Sequence, residues 1–136
     1  MSTRITSLTA SLIDAARQAV GEAGLRKMIA VRTKNQIASY QKTLPAPTVS
    51  LRRRVEALAT VRTREGYMAE VVTEKRGQYL LIEHHCPICD AAASCLGLCA
   101  GELELFRAAL GKDVLVERIA HLLSGEERCV YRISRG

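Results

Sequence analysis

Cys86, Cys99, Cys129 and His121 are the residues whose types and spacing could hold a metal ion. Thiolate sulfur and imidazole nitrogen are the donors of tetrahedral zinc sites, and thiolates with an occasional histidine are those of iron–sulfur clusters. His121 precedes Cys129 by eight residues, a gap that a hairpin closes to cross-strand distance. Cys99 stands where a helix is expected to open, and the positive end of the helix dipole favours the thiolate that a metal requires. His84 competes with His121 for the fourth position, and Cys89 is a further candidate thiol. Cys95 reads as a small buried hydrophobe. An odd count of five cysteines, with no apolar leader at the N-terminus, points to metal or redox chemistry in the cytoplasm before disulfides.

A different chemistry is written in Cys86-Pro87-Ile88-Cys89, the Cys-Pro-X-Cys dithiol of glutaredoxin-like oxidoreductases with Cys86 as nucleophile. That chemistry needs a thioredoxin-type βαβ unit and a later proline, whereas the prolines here stop at Pro87. No phosphate-binding Gly-Lys-Ser/Thr loop, Gly-X-Ser-X-Gly elbow or His-Glu-X-X-His helix is present. Glu83 and Glu117 read as ion-pair partners on strands. The expectation is a protein that is not an enzyme.

These residues must be positioned by regular elements. Leu8, Leu12, Ala15, Ala16, Ala19, Val20 and Ala23 recur at helical spacing, with Gly24 as a stop. A second helix is expected over Leu25–Thr43, ended by Pro45-Ala46-Pro47. Ser50 should cap a third, striped by Leu51, Val55 and Leu58 and closed by Gly66. The period then changes from 3.6 to 2. Strands are expected over Tyr67–Thr73 and Tyr79–His85 around an Arg76-Gly77 turn, with Leu80, Ile82, His84 and Cys86 on the core face. A connection from Cys86 to Cys99, with a short helix over Asp90–Ser94, leads to a helix over Glu102–Leu110 and a stop at Gly111. Strands Val114–His121 and Cys129–Ile133 follow. The class is α+β: about three N-terminal helices (residues 1–65, a dimerisation and linker region), then a β-β-α-β-β antiparallel unit (residues 66–136, the sensor region), packed as one domain.

Composition fits that plan. The 136 residues suffice for one core, and with four Tyr, one Phe and no Trp it must be aliphatic. No run reaches the roughly 20 apolar residues of a membrane span. Charge is uneven: residues 1–77 hold 14 Lys/Arg against 6 Asp/Glu, or +8, and residues 78–136 hold 6 against 8, or −2. The basic half points to an anionic partner, or to solvated helix faces. Arg52-Arg53-Arg54 could grip phosphate, but reads as a solvated or subunit-contacting face.

The series Gly66-Tyr-Met-Ala-Glu, Leu81-Ile-Glu-His-His-Cys-Pro-Ile, Leu98-Cys-Ala-Gly-Glu-Leu-Glu-Leu-Phe, Leu110-Gly, Val116-Glu-Arg, His121, Gly125 and Arg128-Cys-Val-Tyr-Arg-Ile resembles a known pattern. It is similar to the C-terminal regulatory domain of ArsR/DeoR-like winged-helix regulators related to the repressor of the Suf iron–sulfur operon. The helical stretch with Arg54-Val-Glu-Ala-Leu-Ala resembles their dimerisation helices. Two departures stand out: no winged helix-turn-helix precedes the match, and the place near Lys112-Asp113 lacks a thiol which that repressor has. The β-β-α-β-β order also resembles four-vinyl-reductase-type sensor domains, which pair a zinc ion with a small apolar ligand. The resemblance implies a homodimeric sensor of a transcriptional regulator. It would bind zinc or an iron–sulfur cluster, answer to a small-molecule effector in the alternative reading, reach DNA only through a winged-helix domain, and have no membrane partner.

Overall fold

A computed structural model of the chain describes residues 3–84, 97–120 and 129–136. The described elements run α1 (Thr3–Thr43), α2 (Leu51–Arg64), β1 (Ala69–Lys75), β2 (Gln78–Glu83), α3 (Gly97–Leu110), β3 (Val114–Ala120) and β4 (Cys129–Arg135). The strands form one antiparallel sheet in the order β1-β2-β4-β3. The α+β class and the antiparallel sheet are as expected. Every described strand pair is antiparallel, unlike the parallel βαβ unit that a dithiol oxidoreductase would need.

Helix α1 departs from expectation at its break. The two expected N-terminal helices are one element interrupted at Gly21, where φ is 75° and ψ 174°, rather than ended at Gly24. That backbone region is reached routinely only without a Cβ. Before the break the chain buries no described side chain; after it, Leu25, Thr33, Tyr40 and Leu44 turn inward at helical spacing. No described helix is long and apolar enough to cross a bilayer.

Ser50 caps α2 as predicted, its hydroxyl accepting from the Arg53 amide at 3.4 Å. Leu51, Val55 and Leu58 supply the inward stripe. Arg54 corrects the reading of the Arg52–Arg54 run: it is buried. Its Nη1 donates to the Leu110 carbonyl at 2.6 Å and its Nε to the Val49 carbonyl at 3.1 Å. A cation thus closes the negative end of α3, just before Gly111 at φ 105°.

The sheet presents one face to the helices. Leu81 pairs with Tyr131 and Tyr79 with Ile133, and Val114 and Val116 extend that face onto β3. The core face of β2 therefore carries Tyr79, Leu81 and Glu83, one residue out of phase with the expected Leu80, Ile82 and His84. A one-residue slip exchanges the faces of a strand. Phe106 of α3 meets Tyr131 edge-on, with ring centroids 4.8 Å apart. Helix α3 lies close against α1: a Cβ built on Gly101 would stand 2.7 Å from Thr33 Oγ1.

Candidate functional site

The chemistry inside the fold gathers around Arg62. Its position continues the stripe of Leu51, Val55 and Leu58 by one more turn, so the helix drives a guanidinium into the core, where it is fully buried. A buried cation persists only when it is paired and hydrogen-bonded. Arg62 Nε and Nη2 reach Glu83 Oε2 and Oε1 at 2.6 and 3.1 Å, a bidentate pair from the end of β2. Its Nη1 donates to the Tyr40 hydroxyl of α1 at 3.3 Å. The same nitrogen stands 2.7 Å from Glu102 Oε2 of α3, yet that oxygen has no hydrogen bond, so charge rather than alignment holds it. The guanidinium carbon lies 3.4 Å from the Tyr67 ring centroid and 4.8 Å from that of Phe106.

Further contacts finish the cluster. Tyr67 donates to Glu102 Oε1 at 3.4 Å, and Arg32 of α1 approaches the same oxygen at 3.6 Å. Tyr40 in turn hydrogen-bonds Glu65. Burial opposes the charge on Arg62, but Glu102 and Glu83 hold its pKa well above the ordinary guanidinium value. Burial pushes the Glu83 carboxyl up, against the pull of Arg62. Burial likewise lifts the Tyr40 phenol, so it serves as a neutral donor and acceptor. The arrangement holds three acidic or phenolic groups from three elements on one cation.

Of the predicted metal ligands, Cys99, Cys129 and His84 fall among the described residues. Cys129 is buried at the start of β4, opposite Glu83 in the β2–β4 register and on the same core face. Cys99 falls in the first turn of α3, one turn before Glu102. Cys86, Cys89 and His121 lie outside the described residues, as does the expected helix over Asp90–Ser94. His84, expected on the core face, is exposed, and its Nε2 pairs with Glu70 Oε1 at 2.7 Å. Among the described residues no three His, Cys, Asp or Glu side chains form a metal cage. Thiolate donors suit zinc or a cluster; Cys129 is buried, and Cys99 is a residue of the first turn of α3.

Sequence reasoning missed Arg62, Glu83 and Glu102 as a unit. The available signal was the stripe itself: residue 62 falls on the buried face of α2, and an arginine there demands carboxylates.

No protein-family model and no curated protein matches the sequence. Solved structures do match in shape. One is the phenol-responsive sensory domain of the transcription activator PoxR with phenol. It aligns at a TM-score of 0.61 and 13% identity over 96% of this chain and 74% of that one. Another is a trafficking protein particle complex subunit 3 from Naegleria fowleri covalently bound to palmitic acid. It aligns at a TM-score of 0.60 and 17% identity over 98% of this chain and 93% of that one. At such identities the likeness is one of fold.

Proposed function

We propose that the chain is a non-catalytic regulatory sensor domain of a transcriptional regulator. It would answer to a small-molecule effector and be stiffened by a metal centre on Cys86, Cys99 and Cys129, with His121 as fourth ligand and Cys89 or His84 as substitutes. The observation that carries the reading is the convergence on Arg62 of β2, α3 and both N-terminal helices. A change in effector or metal state at the β2–α3 end reaches α2 through two buried ion pairs. The shared fold with a phenol-responsive sensory domain supports the effector; the buried Cys129 thiol beside Glu83 supports the metal. Zinc would supply a closed tetrahedral clamp, and an iron–sulfur cluster would add redox response.

In this reading two copies join through the first half of α1. Leu8, Leu12 and Val20 are exposed there, and residues 3–22 balance Arg4 and Arg17 with Asp14 and Glu22. A balanced, apolar surface suits a partner identical to itself. DNA would be met through a winged-helix domain of the full regulator.

The test is elemental analysis and an absorption spectrum of protein purified without oxygen, followed by thermal melting with phenol and with a fatty acid. One zinc per chain, a melting temperature raised by one of the two compounds, and loss of zinc in Cys129→Ser support the proposal. Iron with sulfide and a visible band would transfer sensing to the cluster. Absence of metal together with indifference to both compounds would overturn the reading.

A further inference from the structure

Most of the positive charge of the N-terminal half lies outside the Arg62 cluster, and its distribution is sharper than the half-chain balance. Residues 23–55 hold eight Lys/Arg and no Asp or Glu. Arg54 is consumed inside the core; Lys27 and Lys34 are exposed on α1, and Arg32 is half-buried. Between them Met28 and Val31 stand out, 52% and 57% exposed, on the side of the helix away from Thr33 and Tyr40. Lys27, Met28, Val31, Arg32, Asn35, Gln36 and Ser39 line a shallow, open site of about 660 Å³ on this face, and Lys34 lies beside it.

From this we infer that the outer face of α1 around Met28, Val31 and Asn35 docks an acidic amphipathic helix of a partner protein. The spacing of 28, 31 and 35 is that of a helix-contacting stripe, with cations on both flanks. Methionine adapts to varied apolar partners, and asparagine, glutamine and serine offer hydrogen bonds along the groove. Arg32 is held by Glu102 at 3.6 Å and retains N–H groups for an incoming carboxylate.

Charge decides which occupant fits. In a two-fold dimer a surface patch meets its own copy. Lys27 and Lys34 would then face their own copies, while Glu102 is already held by Arg32 and Arg62. This half of α1 therefore rejects a second copy, unlike the half before Gly21. Nucleic acid would engage the cations but leave Met28 and Val31 against phosphate, with no aromatic ring on this face for a base to stack upon. The inference is independent of the sensor proposal, because it rests on no metal, effector or cysteine.

Display selection of a random helix-forming peptide library on the intact protein tests it. Enriched sequences should carry Asp or Glu on both flanks of an apolar stripe. A recovered peptide, followed by fluorescence anisotropy, should bind about tenfold more weakly to Val31→Asp, since a buried anchor dominates such contacts. Selection on the Lys27→Glu/Lys34→Glu double variant should turn to Lys- and Arg-flanked peptides. All three side chains point away from the core, so unchanged thermal melting of the variants confirms that only the face has altered. Failure to enrich acidic helices, or acidic peptides indifferent to Val31→Asp, overturns the inference. So would equal, Val31-dependent binding of duplex DNA or of phosphatidylserine–phosphatidylcholine vesicles.

Discussion

Arg62 and Lys27 lie on neighbouring N-terminal helices, and the chain treats their charges in opposite ways. Arg62 is fully buried, met by Glu83, Glu102 and Tyr40, and stacked between two aromatic rings. Lys27 is exposed in a stretch where no acidic residue occurs from Ala23 to Val55. A buried charge is tolerated only with its partners already in place, so it records how the elements are joined. A solvated charge without partners costs the fold little and stays available to another molecule. The difference teaches where to look for architecture and where to look for association within one basic region.

The sharpest way to break the comparison is at Arg62. Arg62→Met should cost about 3–5 kcal/mol, because two buried carboxylates lose their cation; denaturant unfolding reads the loss. Arg54→Leu comes next. It strands the Leu110 carbonyl at the end of α3 and the Val49 carbonyl ahead of α2, and about 1–3 kcal/mol should disappear from the same measurement.

The pH dependence of stability isolates Glu83. Its carboxyl is raised above the ordinary 4.5 in the fold, chiefly by burial, so the native state holds the proton more tightly than the unfolded chain. The Glu83 contribution is then fullest below 4.5 and is lost as pH rises through the native value. Glu83→Gln should flatten that slope between mildly acidic and neutral pH. Glu74 has the opposite sign: hydrogen bonding to Arg132 lowers its pKa, so its share is lost as pH falls through the native value. The smallest effect belongs to the solvated side. Val31→Asp should change stability by no more than about 0.5 kcal/mol, while weakening peptide binding to the outer face of α1 about tenfold. If Val31→Asp instead destabilised the chain as Arg62→Met does, the division between architecture and association would fail.

Much of the fold was legible where local chemistry is decisive. Ser50 ahead of the α2 stripe, the Gly77 turn between β1 and β2, and Gly111 after Leu110 each answer a backbone requirement that neighbouring residues cannot change. The phase of β2 was not legible. Residues 79–83 read Tyr-Leu-Leu-Ile-Glu, apolar on both faces of the strand, so periodicity does not choose. The choice is made by Arg62 drawing Glu83 inward, a contact across 21 residues. The helix break at Gly21 was misplaced to Gly24 for a similar reason: both glycines interrupt the pattern, and only the backbone reveals which one takes a positive φ. Near the candidate site, the helix expected over Glu102–Leu110 was legible from its apolar face, but it begins earlier, at Gly97. The charge cluster behind it was not, because two of its members look like ordinary surface acids in the sequence.

The contact between Gly101 and Thr33 gives the chain a thickness gauge. One methyl group at residue 101 would overlap Thr33 Oγ1, so either the threonine rotates or α3 lifts off α1. Glu102 is the next residue and Cys99 lies two before. Gly101→Ala would act as a wedge under the turn that carries Glu102. The separation of two helices, set by a missing side chain, fixes how deep the cysteine-bearing end of α3 can sit.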